Sequence, residues 1–365
     1  MFGTILLSVT ALMAAYVFWR MGSVPWLGSL HWSARTGLGL LAWLVVACGR
    51  TLGRSNAGFW AFGLETAGMA LLVILFLSFL LLLAVDLITA WGWLLPNIAP
   101  LLRGLALTTA LLLSGLALVQ GLRAPVVTGY EVVMEGLPPE LDGTVVAGMS
   151  DLHLGRQLDP DWLEARVAQV AALEPDMIVL LGDILEGRSD GLDQFLPAMR
   201  KLRAPLGTFA VLGNHDNHGR TEANQELLVR GGCAVLINRA ESPTPGLVVA
   251  GIEDLTTHAR RGKANNPLAE ALAHRPDGAT ILLSHTPLRL PEAASYGVGL
   301  MLSGHTHGGQ VWPFGLLLRL RYPLIEGEEK FGPMTAIVCR GTGLWGPRMR
   351  LWSPGEILKI TLRSK

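Results

Sequence analysis

The stretch TVVAGMSDLH, residues 144–153, joins a short apolar run to two polar side chains that can bind a metal ion. The run at 144–149 is rich in valine and too short for a helix, so it predicts a buried strand. Asp151 and His153 follow where this strand ends. Carboxylate oxygens and imidazole nitrogens are common ligands of divalent cations. The stretch therefore predicts a strand whose carboxyl end carries potential metal ligands.

Four further apolar runs repeat this arrangement along the chain. They predict strands at 177–181, 208–212, 280–283 and 298–302, and helical spacing predicts helices at 161–173, 192–202 and 221–230. Strands that alternate with helices predict an α/β layer arrangement. Since ligands bind beyond the carboxyl ends of strands in open α/β sheets, the polar residues after the five strands should meet at one edge. Those residues are Asp151, His153, Asp183, Asn214, His215, His285, His305 and His307.

Each of these motifs is weak alone, but their order along the chain is specific. The set reads Asp151-x-His153, Gly182-Asp183, Gly213-Asn214-His215-Asp216, His285 after an apolar strand, and Gly304-His305-x-His307. It resembles the calcineurin-like metallophosphoesterase superfamily over residues 144–362. The runs LSGHTHGGQ at 302–310, WPFG at 312–315 and GTGLWGP at 341–347 are similar to a bacterial branch of predicted membrane phosphohydrolases. The resemblance implies a four-layer αββα sandwich with two facing sheets.

The resemblance also implies two divalent metal ions. It assigns one ion to Asp151, His153 and His307, the other to Asn214, His285 and His305, and both to Asp183. These donors are oxygen and nitrogen atoms without a thiolate, so manganese, iron, zinc and magnesium all stay open. Manganese is the preferred prediction.

Hydrolysis is expected to use a hydroxide held between the ions, because metal binding lowers the pKa of water from about 15.7 to about 7. His215 is the predicted general acid. Glu186 stands where members of the superfamily usually carry Asp, and it is expected to orient His215. Asp216 is the third member of the predicted catalytic set, and it is expected to support its loop. The predicted reaction is hydrolysis of a phosphomonoester, phosphodiester or pyrophosphate bond, and the alternative is a metal-binding sensor or scaffold without hydrolysis.

The first 123 residues differ in composition from residues 124–365, which are expected to form the metallophosphoesterase domain. Up to Pro125 the chain has six basic and two acidic residues, against 23 basic and 27 acidic residues afterwards. Apolar segments at 2–19, 37–49, 66–85 and 104–119 predict a transmembrane anchor of about four helices. Asp86 follows the third segment, where an acid usually marks the water interface. The sequence thus predicts a multi-pass protein of the cell membrane and leaves the face of the catalytic domain open.

The loop at 312–323 bears on the substrate. Its aromatic and leucine side chains, such as Trp312 and Phe314, precede Arg321 and suit a membrane interface. The loop predicts contact with membrane lipids and a lipid-linked phosphate ester, with packing into the core as the alternative and a soluble phosphodiester as second substrate choice. Nucleic acid is not an expected partner, because the second part is net acidic and has no basic stripe. His218 is expected on the surface of its loop.

Overall fold

The computed structural model describes residues 2–53, 58–186, 191–217 and 221–365. The chain forms two compact units. One unit comprises Met1–Leu122 with Gly346–Leu351, and the other comprises Arg123–Trp345 with Trp352–Lys365. Composition gave no reason to group residues 346–351 with the first unit.

The first unit is built from long apolar helices, which are α1 (Phe2–Met21), α2 (Trp32–Cys48), α3 (Phe59–Ile88) and α4 (Ala99–Leu122). Among the described residues, four helical segments are long and apolar enough to cross a membrane. The 30 residues of α3 correspond to about 45 Å at 1.5 Å per residue, which exceeds the ~30 Å of a hydrocarbon core. The predicted segments 2–19, 66–85 and 104–119 lie within α1, α3 and α4, and the segment 37–49 lies on α2 except for its last residue.

Asp86, near the end of α3, is buried within the unit and does not face water as its position in the sequence indicated. Its carboxylate lies 2.6 Å from Nε of Arg20 and 2.8 Å from a terminal nitrogen of Arg103. The Tyr16 hydroxyl donates to the same carboxylate. A buried charge is costly unless it is paired and hydrogen-bonded. Asp86 therefore joins α1, α3 and α4 through one ion-pair cluster.

The second unit contains two six-stranded mixed sheets in the part of the chain that the structure describes. The strands are β1 (Val126–Met134), β2 (Val145–Met149), β3 (Met177–Leu181), β4 (Thr208–Val211), β5 (Ala234–Val235), β6 (Arg239–Thr244), β7 (Gly246–Gly251), β8 (Gly278–Leu283), β9 (Leu300–Ser303), β10 (Gly327–Phe331), β11 (Met334–Val338) and β12 (Glu356–Ser364). The first sheet has the order β1-β12-β2-β3-β4-β5, and the second has the order β10-β11-β9-β8-β7-β6. Antiparallel pairing occurs at β12 with β2, at β10 with β11 and at β6 with β7.

Seven helices accompany these sheets among the described residues. They are α5 (Pro160–Ala171), α6 (Leu196–Met199), α7 (Thr221–Arg230), α8 (Leu255–Arg260), α9 (Pro267–Leu272), α10 (Leu290–Ser295) and α11 (Phe314–Leu318). Helix α5 begins one residue before its predicted start, because the Asp159 side chain accepts a hydrogen bond from the N–H of Trp162 and Pro160 occupies the first turn.

Alternate side chains of the central strands enter different apolar layers. In β3, Val179 belongs to the cluster shared with β7, β8 and β9 of the second sheet, whereas Leu180 packs with α5, α6 and α7. In β8, Ile281 belongs to the shared cluster, whereas Leu282 packs with α9 and α10. Successive side chains of a strand point to opposite faces, so each sheet is covered on both sides. The predicted four-layer αββα sandwich is confirmed.

Candidate metal centre

Three groups of histidine and acidic side chains lie at the carboxyl ends of β2, β3, β4, β8 and β9. Within each group, one potential ligand atom per residue lies within 4.8 Å of the others. The groups are Asp151 with His153 and His307, Asp183 with His285 and His305, and His153 with Glu186 and His215. The structure thus brings together side chains that are far apart in the sequence.

The first group gathers two imidazoles and one carboxylate. Nε2 of His307 lies 3.3 Å from Oδ1 of Asp151, and it lies 3.3 Å from Nε2 of His153. The backbone N–H of His305 donates to the Asp151 carboxylate at 3.0 Å, which fixes the orientation of that carboxylate. Two ring nitrogens and a carboxylate oxygen that converge in this way form a suitable half-site for a divalent cation.

In the second group, each imidazole has one ring nitrogen in contact with a residue outside the group. Nε2 of His285 lies 3.2 Å from Oδ2 of Asp183, and its Nδ1 lies 2.8 Å from the carbonyl oxygen of Leu181. Nδ1 of His305 lies 3.2 Å from His285, while its Nε2 lies 2.9 Å from the Tyr322 hydroxyl. A partner on the outer nitrogen fixes the tautomer and aims the inner nitrogen at the centre. Sequence reasoning placed Tyr322 in the lipid-facing loop and missed this contact.

Asn214 supplies a direct test of whether a metal ion fits. Its side chain is buried, and Oδ1 has no hydrogen-bond partner among the residues that the structure describes. A buried acceptor left unpaired costs about 1–3 kcal/mol. The neighbouring N–H of His215 donates to Oδ1 of Asp183 at 2.7 Å, which brings the Asn214 loop to the second group. A cation would satisfy the Asn214 oxygen, and the whole donor set suits two metal ions.

Glu186 contacts two histidines with one oxygen. Its Oε1 lies 3.0 Å from Nδ1 of His153 and 3.1 Å from Nδ1 of His215. The sequence predicted a contact with His215 only. The carboxylate therefore lies where it could position a predicted ligand and the predicted general acid together.

Asp216 lies fully buried beneath the centre. Its carboxylate accepts hydrogen bonds from the backbone N–H groups of Gly213 and Leu185, both at 2.8 Å, and of Ile184 at 3.2 Å. These bonds join the loop after β4 to the loop after β3. Burial, together with the charge of Asp183, raises the pKa of Asp216 to about 6.

Burial and neighbouring charges set the protonation of the second group. Burial, together with the charge of His285, lowers the pKa of His305 to about 4, so His305 is neutral and offers a lone pair. Burial also acts to lower the pKa of His285, but the Asp183 carboxylate at 3.2 Å outweighs it and raises that pKa well above its ordinary value. The carboxylate therefore attracts positive charge to the place where a cation would lie.

The backbone of the centre is strained. Among the described residues, five predicted ligands have left-handed φ angles, namely Asp151 (53°), His153 (46°), Asp183 (50°), His305 (72°) and His307 (51°). Such conformations cost on the order of 1–3 kcal/mol each and cluster at functional sites. Gly213 allows the tight packing, because a Cβ atom there would collide with the Asp183 carboxylate.

The remaining sequence predictions have mixed outcomes. The apolar loop after the centre is exposed, with Leu320 85% and Leu317 57% accessible, so the alternative of core packing is wrong for these side chains. His218 lies outside the described residues.

The second unit is an α/β sandwich whose strand ends converge on a buried set of histidine, carboxylate and amide ligands, which is the architecture of a metal-dependent hydrolase. A family profile for calcineurin-like phosphoesterases matches residues 144–309. An uncharacterized metallophosphoesterase of Aquifex aeolicus is 34% identical over 241 residues, which cover 65% of this chain and 91% of the relative. The chain belongs to the calcineurin-like metallophosphoesterase family, and membership implies a phosphoester hydrolase.

Two further relatives are longer than the matched part. An uncharacterized metallophosphoesterase of Campylobacter jejuni is 30% identical over 247 residues, 67% of this chain and 65% of the relative. A transmembrane protein with metallophosphoesterase domain from Danio rerio is 31% identical over 271 residues, 71% of this chain and 62% of the relative. The match therefore spans less than two thirds of these two proteins. Both the helices of the first unit and the name of the second relative indicate membrane association.

Proposed function

We propose that this protein is a membrane-anchored phosphoesterase that uses two divalent metal ions, preferably manganese. It hydrolyses a phosphomonoester, phosphodiester or pyrophosphate bond. The observation that carries the proposal is the meeting of eight histidine and acidic side chains at the ends of five strands. The buried Oδ1 of Asn214, on one of the same loops, has no hydrogen-bond partner among the described residues. When bound, the two ions would supply an activated water and positive charge for an in-line displacement at phosphorus.

The ligand assignment follows the two groups around Asp183. We assign one ion to Asp151, His153 and His307, the other to Asn214, His285 and His305, and both to Asp183. The facing ring nitrogens at 3.2 and 3.3 Å support this assignment. Oxygen and nitrogen ligands without a thiolate are compatible with manganese.

His215 is assigned to protonate the leaving oxygen. Its Nδ1 lies beside Glu186, so Nε2 is the nitrogen assigned to carry the transferred proton. A carboxylate beside Nδ1 fixes the plane of the imidazole ring. We assign Asp216 a structural role, because its carboxylate receives the three backbone N–H groups of the two loops.

The anchor is proposed to be residues 1–123, crossing the cell membrane with α1 to α4, and the catalytic domain residues 124–365. Four membrane-length helices support this division. A lipid-linked substrate is supported by the exposed leucines after the centre, since membrane interfaces accept apolar side chains next to arginines. Replacing Leu317 and Leu320 by Ser should reduce hydrolysis of a phospholipid substrate and leave hydrolysis of bis-p-nitrophenyl phosphate unchanged. Equal loss on both substrates would rule out a lipid-contacting role.

The experiment that tests the function is hydrolysis of p-nitrophenyl phosphate and bis-p-nitrophenyl phosphate by the full-length protein in detergent with added manganese. Asp183→Asn and His215→Ala should each lower kcat by about 100-fold or more. His274→Ala is the matched control, because His274 is exposed and outside the centre. Stoichiometric metal binding without hydrolysis of either ester or of a phospholipid would favour the sensor or scaffold role.

A further inference from the structure

A cleft of about 490 Å³ lies beside the candidate metal centre. It is formed by α8, the loop after β8 and the segment after α11, and its lining includes Arg260, Arg289, Arg321 and Tyr322. Tyr322 connects the cleft to the centre, because its hydroxyl lies 2.9 Å from Nε2 of His305. The two rings have centroids 5.5 Å apart. Tyr322 therefore lies between the cleft and His305, a proposed ligand of the second ion.

The arginines of this cleft carry positive charge that is little neutralised. Neither Arg260 nor Arg321 forms an ion pair with any residue that the structure describes. Arg289 has a weak one, with Nε 3.8 Å from Glu292. The nearby Glu253 is already paired, with Lys263 at 2.7 Å and the cleft-lining His258 at 3.1 Å.

Such a cleft suits an anion with several oxygen atoms. A guanidinium group donates parallel hydrogen bonds to phosphate oxygens, and this charge-assisted geometry is about twice as strong as neutral hydrogen bonding. Arg260 and Arg321 approach the cleft from different elements, which lets them contact one bound group from two sides. Arg319, two residues before Arg321, lies 3.6 Å from Glu326 and does not line the cleft.

We infer that the arginine cleft binds the second phosphate of a diphosphate substrate while the first phosphate lies at the metal centre. This inference rests on the proposed function and narrows it to cleavage of a phosphoric anhydride. In that reaction, the oxygen of water bonds to the phosphorus at the centre and the bond from that phosphorus to the bridging oxygen breaks. The leaving phosphate keeps the bridging oxygen and takes a proton. The arginines neutralise the charge that the leaving phosphate gains.

The test is calorimetric titration of the full-length protein in detergent and manganese buffer, with inorganic pyrophosphate and with orthophosphate. Arg260→Gln/Arg321→Gln should raise the Kd for pyrophosphate by about tenfold or more. The reason is that a hydrogen bond to a charged group typically changes Kd by at least about tenfold. Orthophosphate binding should change by less than about threefold, since one phosphate fits at the centre alone. Arg261→Gln/Arg319→Gln is the matched control, with both arginines outside the cleft lining, and should bind both ligands like the parent.

Unchanged pyrophosphate binding in Arg260→Gln/Arg321→Gln overturns the inference, and so does equal weakening of both ligands. Failure of the proposed function gives a different result, namely arginine-dependent pyrophosphate binding without ester hydrolysis by the parent protein. Farnesyl diphosphate separates the two sources of a diphosphate. If the natural substrate is lipid-linked, farnesyl diphosphate should bind more tightly than pyrophosphate, and Leu317→Ser/Leu320→Ser should abolish that difference. If the natural substrate is soluble, the two ligands should bind equally. Farnesyl diphosphate binding that does not depend on the two arginines contradicts the inference.

Discussion

Glu186 contacts two predicted site residues through one oxygen, since its Oε1 lies near Nδ1 of both His153 and His215. Glu186→Gln removes the negative charge that stabilises both imidazoles, so we expect kcat to fall by about 10- to 100-fold and metal content to fall with it. Glu186→Asp keeps the charge on a shorter side chain and should retain more activity than Gln. The measurements are kcat on bis-p-nitrophenyl phosphate and metal content by mass spectrometry.

The matched control for Glu186 is Glu222→Gln, since Glu222 is exposed on α7. It should preserve both kcat and metal content. Parental values of both in Glu186→Gln would show that the contacts with His153 and His215 do not position these rings.

Gly213 is a position in the centre that has no room for a side chain. A Cβ atom there would collide with the carboxylate and backbone nitrogen of Asp183. Gly213→Ala should therefore destabilise the protein by about 1–3 kcal/mol and reduce metal binding. Thermal unfolding with and without manganese measures both effects. Gly129→Ala, where a Cβ atom meets no neighbour within 4 Å, should unfold like the parent.

The sequence could predict the convergence of ligand-type residues because each one directly follows a buried strand. It could not predict the contact of Glu186 with His153 or that of Tyr322 with His305. Both depend on loop conformations that apolar periodicity does not encode. The left-handed φ angles of residues such as Asp183 and His305 also could not be predicted from apolar periodicity. Resemblance supplied the ligand set, whereas the geometry supplied its supporting contacts.

The five predicted strands are buried on both faces, but β7 and β11 are buried in the same way and were not predicted. β2, β3, β4, β8 and β9 read as nearly continuous apolar runs because each lies between two apolar layers. β1 and β12 were not predicted, since polar residues interrupt their apolar residues and the two strands pair across more than two hundred residues. β10 is a sheet-edge strand with three exposed residues and gave no apolar signal.

Helices α2 and α3 approach each other closely at Gly68. A Cβ atom at Gly68 would lie 2.8 Å from the carbonyl oxygen of Val45 and 3.3 Å from Cα of Gly49. Small residues permit such contacts between apolar helices. Gly68→Leu should destabilise the helical unit by about 1–3 kcal/mol or more, seen as a lower midpoint of thermal unfolding in detergent. Gly63→Leu, on an open face of α3, is the control, and equal midpoints for the two variants would contradict close packing.

The distribution of charged residues divides the chain into two parts. Apolar helices with few charged residues precede a second part that holds 23 of the 29 basic residues. Because arginines are spread evenly over the short loops, the positive-inside rule does not choose a membrane face. The number of crossings, however, determines whether the two chain termini share a face. This number depends on whether the glycine-interrupted segment 37–49 crosses the membrane, and residues 37–48 of that segment lie on α2.

We expect four crossings, with Met1 and Lys365 on the same face of the membrane. Reporter fusions after Leu30 and Leu95, which lie between α1 and α2 and between α3 and α4, should both report the opposite face from a fusion after Lys365. Alkaline phosphatase, which needs disulfides to fold, and a fluorescent protein give complementary readouts in a bacterial host. If α2 does not cross, Leu30 and Leu95 fall on opposite faces, because only α3 then lies between them as a crossing. That result would leave three crossings and place the catalytic unit across the membrane from the amino terminus.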